Sequence, residues 1–362
     1  MITRAALACA IAAMLAASPA WARHDPATFS IVAYDSVTQE LGVAVQSRYF
    51  SVGRVVPWAE AGVGAVATQA GVNPSFGPQG LAMLRSGLSA SQTLRALAAS
   101  DSLWETRQVG IVDAHGESVS WTGSKCLVWA GSETGEAFAC QGNILAGPAV
   151  VANMAKAYRS SRGELAERLV AAIEAAQAAG GDKRGMQSAA LIVVRPSQRH
   201  PEYAQRYVDL RIEDHPNPVR ELRRIWQIHE GFHGASAHLD FAEEYTRAGR
   251  TDLADLERQR VGETLRRALG RNERDASLLN GLAWSCASHG LFLDEARQAA
   301  ERAVSVEPKN VDILDTLGEV YYRLGQTSKA VEVETRASRI DSKSQYLKDQ
   351  IERFQHTPPP AR

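Results

Sequence analysis

Cysteine is scarce in this chain, with four in 362 residues, and no Cys or His pair shows zinc-ligand spacing with a matching second pair. A metal centre is therefore not expected, and nothing in the sequence asks for a cofactor. Charge of one sign is also lacking. A net charge of -1 with 45% apolar residues describes an ordinary globular chain without an electrostatic footprint for nucleic acid or anionic lipid. Long apolar runs are absent apart from Ala5 to Ala17, which falls short of the roughly 20 residues a bilayer span needs.

That one run follows Arg4 and precedes Ala20-Trp21-Ala22, small residues at the positions a signal peptidase reads. The expectation is a secretory signal over residues 1–22, and an exported protein, periplasmic or secreted, with no membrane span once the signal is removed. Export leaves Cys126, Cys140 and Cys286, an odd number. Cys126 and Cys140 flank a glycine-containing turn region, Gly131 to Gly135. Two readings stand open for them: a disulfide across a hairpin, or small buried hydrophobes.

At this length two domains are expected. The first is organised around Thr28 to Asp35, a short apolar strand whose first residue carries a hydroxyl, and Leu41 to Arg48 reads as its hairpin partner. Strands follow at Val63 to Ala70, Gln108 to Val112, Ser118 to Trp121, Phe138 to Asn143, Ser188 to Val194 and Tyr207 to Ile212. Helices are expected at Gln79 to Ser86, Ala90 to Ser100, Val150 to Tyr158 and Glu164 to Ala179. Strands, two helices, strands, two helices, strands is the order of an α+β layered domain.

From Val219 the chain reads as helix nearly to its end. Ala296, Ala300, Ala303 and Pro308 recur in part 34 residues later as Ala330, Glu334, Ala337 and Ser342, a period that resembles tetratricopeptide repeats. Ala237 to Leu269 looks like a capping helical pair before two such repeats, and a protein partner is expected on their surface.

Candidate chemistry gathers at strand tips. Thr28 would gain a free α-amine if the chain were cut before it, and that amine, with a pKa of about 8, can act as the hydroxyl's own base. Other tips offer Gln46-Ser47-Arg48, Gly142-Asn143, and Asp182-Lys183-Arg184-Gly185 ahead of Ser188. Arg48 either binds an anionic substrate group or pairs with Asp182 or Glu60. His215 is read as a loop residue. His229, His233 and His238 are read as surface histidines, because Gly231 and Gly234 interrupt the helix that a shared face would need.

Several words here resemble the domain of unknown function 1028 family: Thr-Phe-Ser-Ile-Val-Ala from Thr28, Gly-Val-Gly-Ala-Val-Ala-Thr-Gln-Ala from Gly62, and Arg-Gln-Val-Gly-Ile-Val-Asp from Arg107. Ala-Cys-Gln-Gly-Asn-Ile-Leu-Ala-Gly from Ala139 and Gly-Gly-Asp-Lys-Arg-Gly from Gly180 complete the set. The resemblance spans about Thr28 to Arg224. It implies an αββα four-layer sandwich of the N-terminal-nucleophile (Ntn) hydrolase type over 28–224, followed by a helical repeat domain over 232–355. It also implies Thr28 as nucleophile, Asp182 and Ser188 as groups orienting the amine, and Gly142 and Asn143 receiving an oxyanion, with Gln46 and Arg48 on the substrate side. The substrate class would be the amide bond of a small peptide, acylated amine or cell-wall fragment. The alternative is a ligand-binding protein on the same fold without turnover. Gln46-Ser47-Arg48 stands where proteasome-type subunits show Asp-Ser-Arg, no lysine matches the one that tunes their nucleophile, and signal removal after Ala22 leaves Arg23 to Ala27 ahead of Thr28.

Overall fold

The computed structural model describes residues 28–359. The segment expected to be a secretory signal, residues 1–22, and Arg23 to Ala27 lie outside the described residues. Strand β1 (Thr28–Asp35) sits near the middle of a six-stranded antiparallel sheet with β2 (Glu40–Ser47), β7 (Gly131–Gly135), β8 (Phe138–Asn143), β9 (Ser188–Val194) and β10 (Val208–Ile212). The strand order is β10-β9-β2-β1-β8-β7. A second sheet stacks on it, β3 (Pro57–Glu60), β4 (Gly64–Ala70), β5 (Arg107–Asp113) and β6 (Ser118–Thr122), in that order.

The two-residue period of β1 decides the layering. Phe29, Ile31 and Ala33 face outward to helices α3 (Ala149–Ser160), α4 (Leu165–Ala178) and α5 (Pro218–His229), in one core with Leu169, Val170, Ile173 and Trp226. Val32 faces inward with Val43, Val45, Ala65 and Val112 between the sheets. Helices α1 (Phe76–Arg85) and α2 (Ala90–Ser100) cover the far sheet, packing Phe76, Leu84 and Leu97 with Val66, Val109 and Ile111 of its strands. Four layers, αββα, result. Close approach of α4 requires Gly42, where a Cβ would lie 2.6 Å from Leu169 Cδ1. Truncating the fully buried Leu169 to alanine is expected to cost about 2–5 kcal/mol.

Local signals set the ends. Ser89 caps α2 in a capping box with Gln92. Asn217 caps α5, with Pro218 in its first turn. The β1–β2 turn is held by Asp35 Oδ1, which accepts the N–H groups of Val37 at 3.0 Å and Thr38 at 3.1 Å.

Two expectations are corrected here, and one open choice is settled. Gly131–Gly135 is an edge strand rather than a turn, and the reversal falls one step later, at Ala137 with φ 57°. Cys140 is accordingly opposed by Glu133, while the Cys126 Sγ–H donates to the Arg107 carbonyl. Cys140 and Cys286 are buried free thiols, so no Cys126–Cys140 disulfide forms. Finally, Gly231 and Gly234 do not break the helix: α5 passes through a π-helical turn, Glu230–Gly234, straight into α6 (Ala235–Arg247). Gly231 is needed there for space, since a Cβ would lie 2.5 Å from Leu278 Cγ.

Helix α7 (Thr251–Gly270) pairs with α6, and two hairpins follow, α8 (Ala276–Ser288) with α9 (Leu293–Val306) and α10 (Val311–Arg323) with α11 (Thr327–Ile340). Ala296, Ala300 and Ala303, and their counterparts Ala330, Glu334 and Ala337, are all buried where the helices of a hairpin meet. Helix α12 (Gln345–His356) closes the stack. Among the described residues no helix is long and apolar enough to cross a membrane.

Candidate functional site

Sheet register gathers residues that lie far apart in the chain. Thr28 is opposite Ser47 on one side and Asn143 on the other, and Ser47 is opposite Ser188. Ser188, Ser47, Thr28 and Asn143 thus form one row across β9, β2, β1 and β8, turned toward the second sheet. Thr28 Oγ1 lies 3.1 Å from Ser47 Oγ, and Thr28 is fully buried.

Behind the row, hydrogen bonds join the sheets. Ser30 Oγ donates to Gln69 Oε1 at 2.7 Å and accepts from Gln141 Nε2 at 2.7 Å. Gln69 Nε2 donates to the Thr28 carbonyl at 3.2 Å and to Gln108 Oε1 at 2.8 Å. Gln108 Oε1 also accepts from Asn143 Nδ2 at 3.1 Å, and Gln108 Nε2 donates to the Gly142 carbonyl and to Thr122 Oγ1, each at 2.8 Å. None of these side chains is charged. The three glutamines escaped the sequence reading, although Gln69 and Gln141 are each a long polar residue among small or apolar ones, which is a legible signal.

The remaining candidates are placed differently. Ser188 Oγ accepts the Val52 N–H at 3.1 Å and donates to the Tyr49 carbonyl, which fixes the turn after β2. Asp182 is buried and accepts the backbone N–H groups of Arg48 and Arg184, both at 2.8 Å, with the Arg184 guanidinium at 3.2 Å. The Arg48 guanidinium is exposed and donates to the Arg184 carbonyl at 3.0 Å, while Glu60 pairs with Arg85 instead. Gln46 lies on the other face of β2 from Ser47, fully buried, and neither atom of its amide has a hydrogen-bond partner. The structure brings together Thr28, Ser47, Asn143 and Ser188, and leaves Gln46 and Arg48 outside that row.

A second polar centre lies where the sandwich meets the helices. Glu40, Glu164 and Arg195 from the sandwich meet His238, Glu257 and Arg260 from α6 and α7. Arg195 reaches Glu257 at 2.9 Å and Glu40 at 3.2 Å, and its guanidinium stacks 3.9 Å over the Phe241 ring. Arg260 bridges Glu40 and Glu257, each at 3.3 Å. His238 is 1% exposed, so it is no surface histidine: Nδ1 lies 2.7 Å from Glu257 and Nε2 3.4 Å from Glu164. Burial alone would depress this imidazole, but Glu164 and Glu257 lift its pKa to about 9. Burial likewise works against the Glu257 carboxylate, yet His238, Arg195 and Arg260 hold it down at about 2. His229 is half-buried on the Tyr207 carbonyl at 2.9 Å, His233 is exposed, and His215 accepts the Asn217 N–H within its loop. Among the described residues no three His, Cys, Asp or Glu groups are placed to hold a metal ion.

Clefts of 610 and 620 Å³ flank this seam, the second lined by Tyr207, His229, Phe232, His233 and Asp240, and Thr28 lines neither. The architecture is that of an αββα sandwich with a hydroxyl residue at the tip of a central strand, joined to a helical repeat stack. The chain belongs to a family of unknown function, DUF1028, whose model matches residues 28–222. It is similar to the crystal structure of protein SPO2555 from Silicibacter pomeroyi, a DUF1028 protein, at 32% identity and TM-score 0.52, over 56% of this chain and 86% of that one. The TPR domain of Arabidopsis OM64 aligns with 35% of this chain and 98% of its own length, at 14% identity and TM-score 0.24. That likeness carries no weight beside the packing of the hairpins themselves. No curated protein matches the chain.

Proposed function

We propose that the sandwich is an exported Ntn-type hydrolase of amide bonds, made competent by a cut between Ala27 and Thr28, and that the helical repeats bind a protein partner. The observation that carries this reading is the Thr28 hydroxyl, 3.1 Å from Ser47 Oγ and beside Asn143 at the start of a central strand. The described side chains hydrogen-bonded around it, Ser47, Ser30, Gln69, Gln108 and Asn143, are neutral, and in this reading the liberated α-amine is the base. In the reaction the amine takes the hydroxyl proton as Oγ1 attacks the amide carbonyl. The ammonium then returns that proton to the departing amine, leaving an ester on Thr28, and water hydrolyses the ester. Asn143 Nδ2 has a second hydrogen beyond the one given to Gln108, suited to the oxyanion. A preformed donor of this kind is worth roughly 3 kcal/mol.

The test is a Thr28→Ala variant of exported protein, screened beside wild type against peptides, acylated amines and cell-wall fragments. Hydrolysis by wild type alone is expected; equal hydrolysis by both removes Thr28 from the chemistry. A second reading, a receptor without turnover, draws on Gln46, a buried neutral amide where proteasome-type subunits carry a carboxylate. It expects ligand binding by both proteins and hydrolysis by neither.

A further inference from the structure

The second hairpin of the helical stack carries a carboxyl group where its repeat pattern asks for a ring. In the pattern Leu-Gly-x-x-Tyr followed by Ala-x-x-x-Phe, Leu317, Gly318, Tyr321 and Ala330 stand in place, but the final position is Glu334. Glu334 is fully buried, and neither of its carboxyl oxygens has a hydrogen-bond partner. One oxygen packs so closely on α10 that a Cβ at Gly318 would lie 2.6 Å from it. An ionised carboxylate is poorly tolerated in such a place.

The neighbours do not supply a cation for it. From α10 come Asp315, Glu319 and Arg323, and from α12 come Tyr346, Gln350 and Arg353. Arg323 Nε donates to Glu319 at 2.7 Å, and Arg353 donates to the other Glu319 oxygen. Arg353 also stacks on the Tyr322 and Phe354 rings, 4.8 Å from each. Both cations are thus engaged with Glu319. Asp315 accepts from Tyr346 Oη at 3.3 Å, and it stands three residues before Gly318, on the face of α10 against which Glu334 packs. Two acceptors therefore face each other, and a single proton between them meets the need of both.

We propose that Glu334 and Asp315 share one proton, forming a pH-dependent clasp that holds the terminal helix α12 on the repeat stack. Burial, and then the Asp315 charge, raise the Glu334 pKa to about 8. A carboxyl whose folded pKa is raised stabilises fully below its unfolded value of about 4.5, and that contribution is lost as pH climbs through about 8. Acid therefore tightens the clasp and mild alkali loosens it. Release of α12 uncovers Leu314, Ala337, Tyr322 and Ala330, the apolar end of the stack onto which Leu347 and Phe354 now pack.

Hydrogen exchange of the full chain at pH 5, 6.5 and 8, corrected for intrinsic exchange, reads this directly in the 345–356 segment. In wild type the opening constant of that segment is expected to rise by up to about tenfold per pH unit, the signature of one proton. In Glu334→Gln the slope is expected to vanish and protection at pH 8 to increase, because the amide donates to Asp315 without a titrating proton. The 276–288 segment should respond equally in both proteins. A flat wild-type profile, or equal slopes in wild type and variant, overturns the clasp. Asp315→Asn removes the other half of the pair and must flatten the slope as well, so the proposal stays testable if Glu334→Gln folds poorly.

Discussion

Between the two sheets, Gln69, Gln108 and Asn143 bind one another as neutral amides, with Gln141 joined through Ser30; between sandwich and helices, Glu40, Glu164 and Glu257 face Arg195, Arg260 and His238. Both seams are buried and hydrogen-bonded, yet they serve different ends. Amides keep the same donors and acceptors at every pH, which suits a network that fixes the tip of β1 beside Ser47 and Asn143. Ion pairs fasten two bodies strongly only while each partner keeps its charge. The neutral seam holds the Thr28 hydroxyl beside Ser47 and Asn143, and the ionic seam joins the sandwich to the helical stack.

Breaking the ionic seam should have the largest effect. Glu257→Leu leaves Arg195, Arg260 and His238 gathered without their shared carboxylate, and a loss of about 3–5 kcal/mol is expected in urea denaturation. A loss below about 1 kcal/mol would mean that the seam is not what joins the two bodies. Gln108→Leu should cost less, about 1–3 kcal/mol for groups left unpaired at Gln69, Thr122 and the Gly142 carbonyl. Its cost should be the same at pH 5 and pH 9, because nothing in that network titrates. A pH-dependent cost would erase the contrast between the seams.

The wild-type pH profile sharpens the same contrast more gently. The folded pKa of His238 is raised, so its contribution is complete below about 6.5 and lost as pH rises through about 9. The folded pKa of Glu257 is depressed, so its contribution is complete above about 4.5 and lost as pH falls through about 2. Melting temperature should therefore be highest between about pH 4.5 and 6.5 as far as this seam is concerned, and His238→Gln should remove its share of the alkaline decline. An unchanged alkaline limb in that variant would show that His238 is not the titrating group.

Much of the fold was legible in the sequence because its central strands carry their own period. Thr28–Asp35, Phe138–Asn143 and Ser188–Val194 read correctly to the residue, and the alanine spacing of the helical hairpins gave their stacking. Gly131–Gly135 was missed because an edge strand needs no apolar face, so its glycines imitate a turn. The π-helical turn was missed because Gly231 is chosen for the room it gives Leu278, a contact made 47 residues away. Thr28, Ser47, Asn143 and Ser188 could be named as separate tips, but only register places them in one row. The ionic seam had no sequence signal: Glu40 lies on β2, Arg195 just past the end of β9 and Glu257 on α7, and nothing in their spacing announces that they meet.

The hydrolase reading stands or falls on one backbone nitrogen. Intact mass and N-terminal sequencing of protein purified after expression of the full-length chain should find a chain that begins at Thr28. A fully active chain that retains Ala27 would contradict the account.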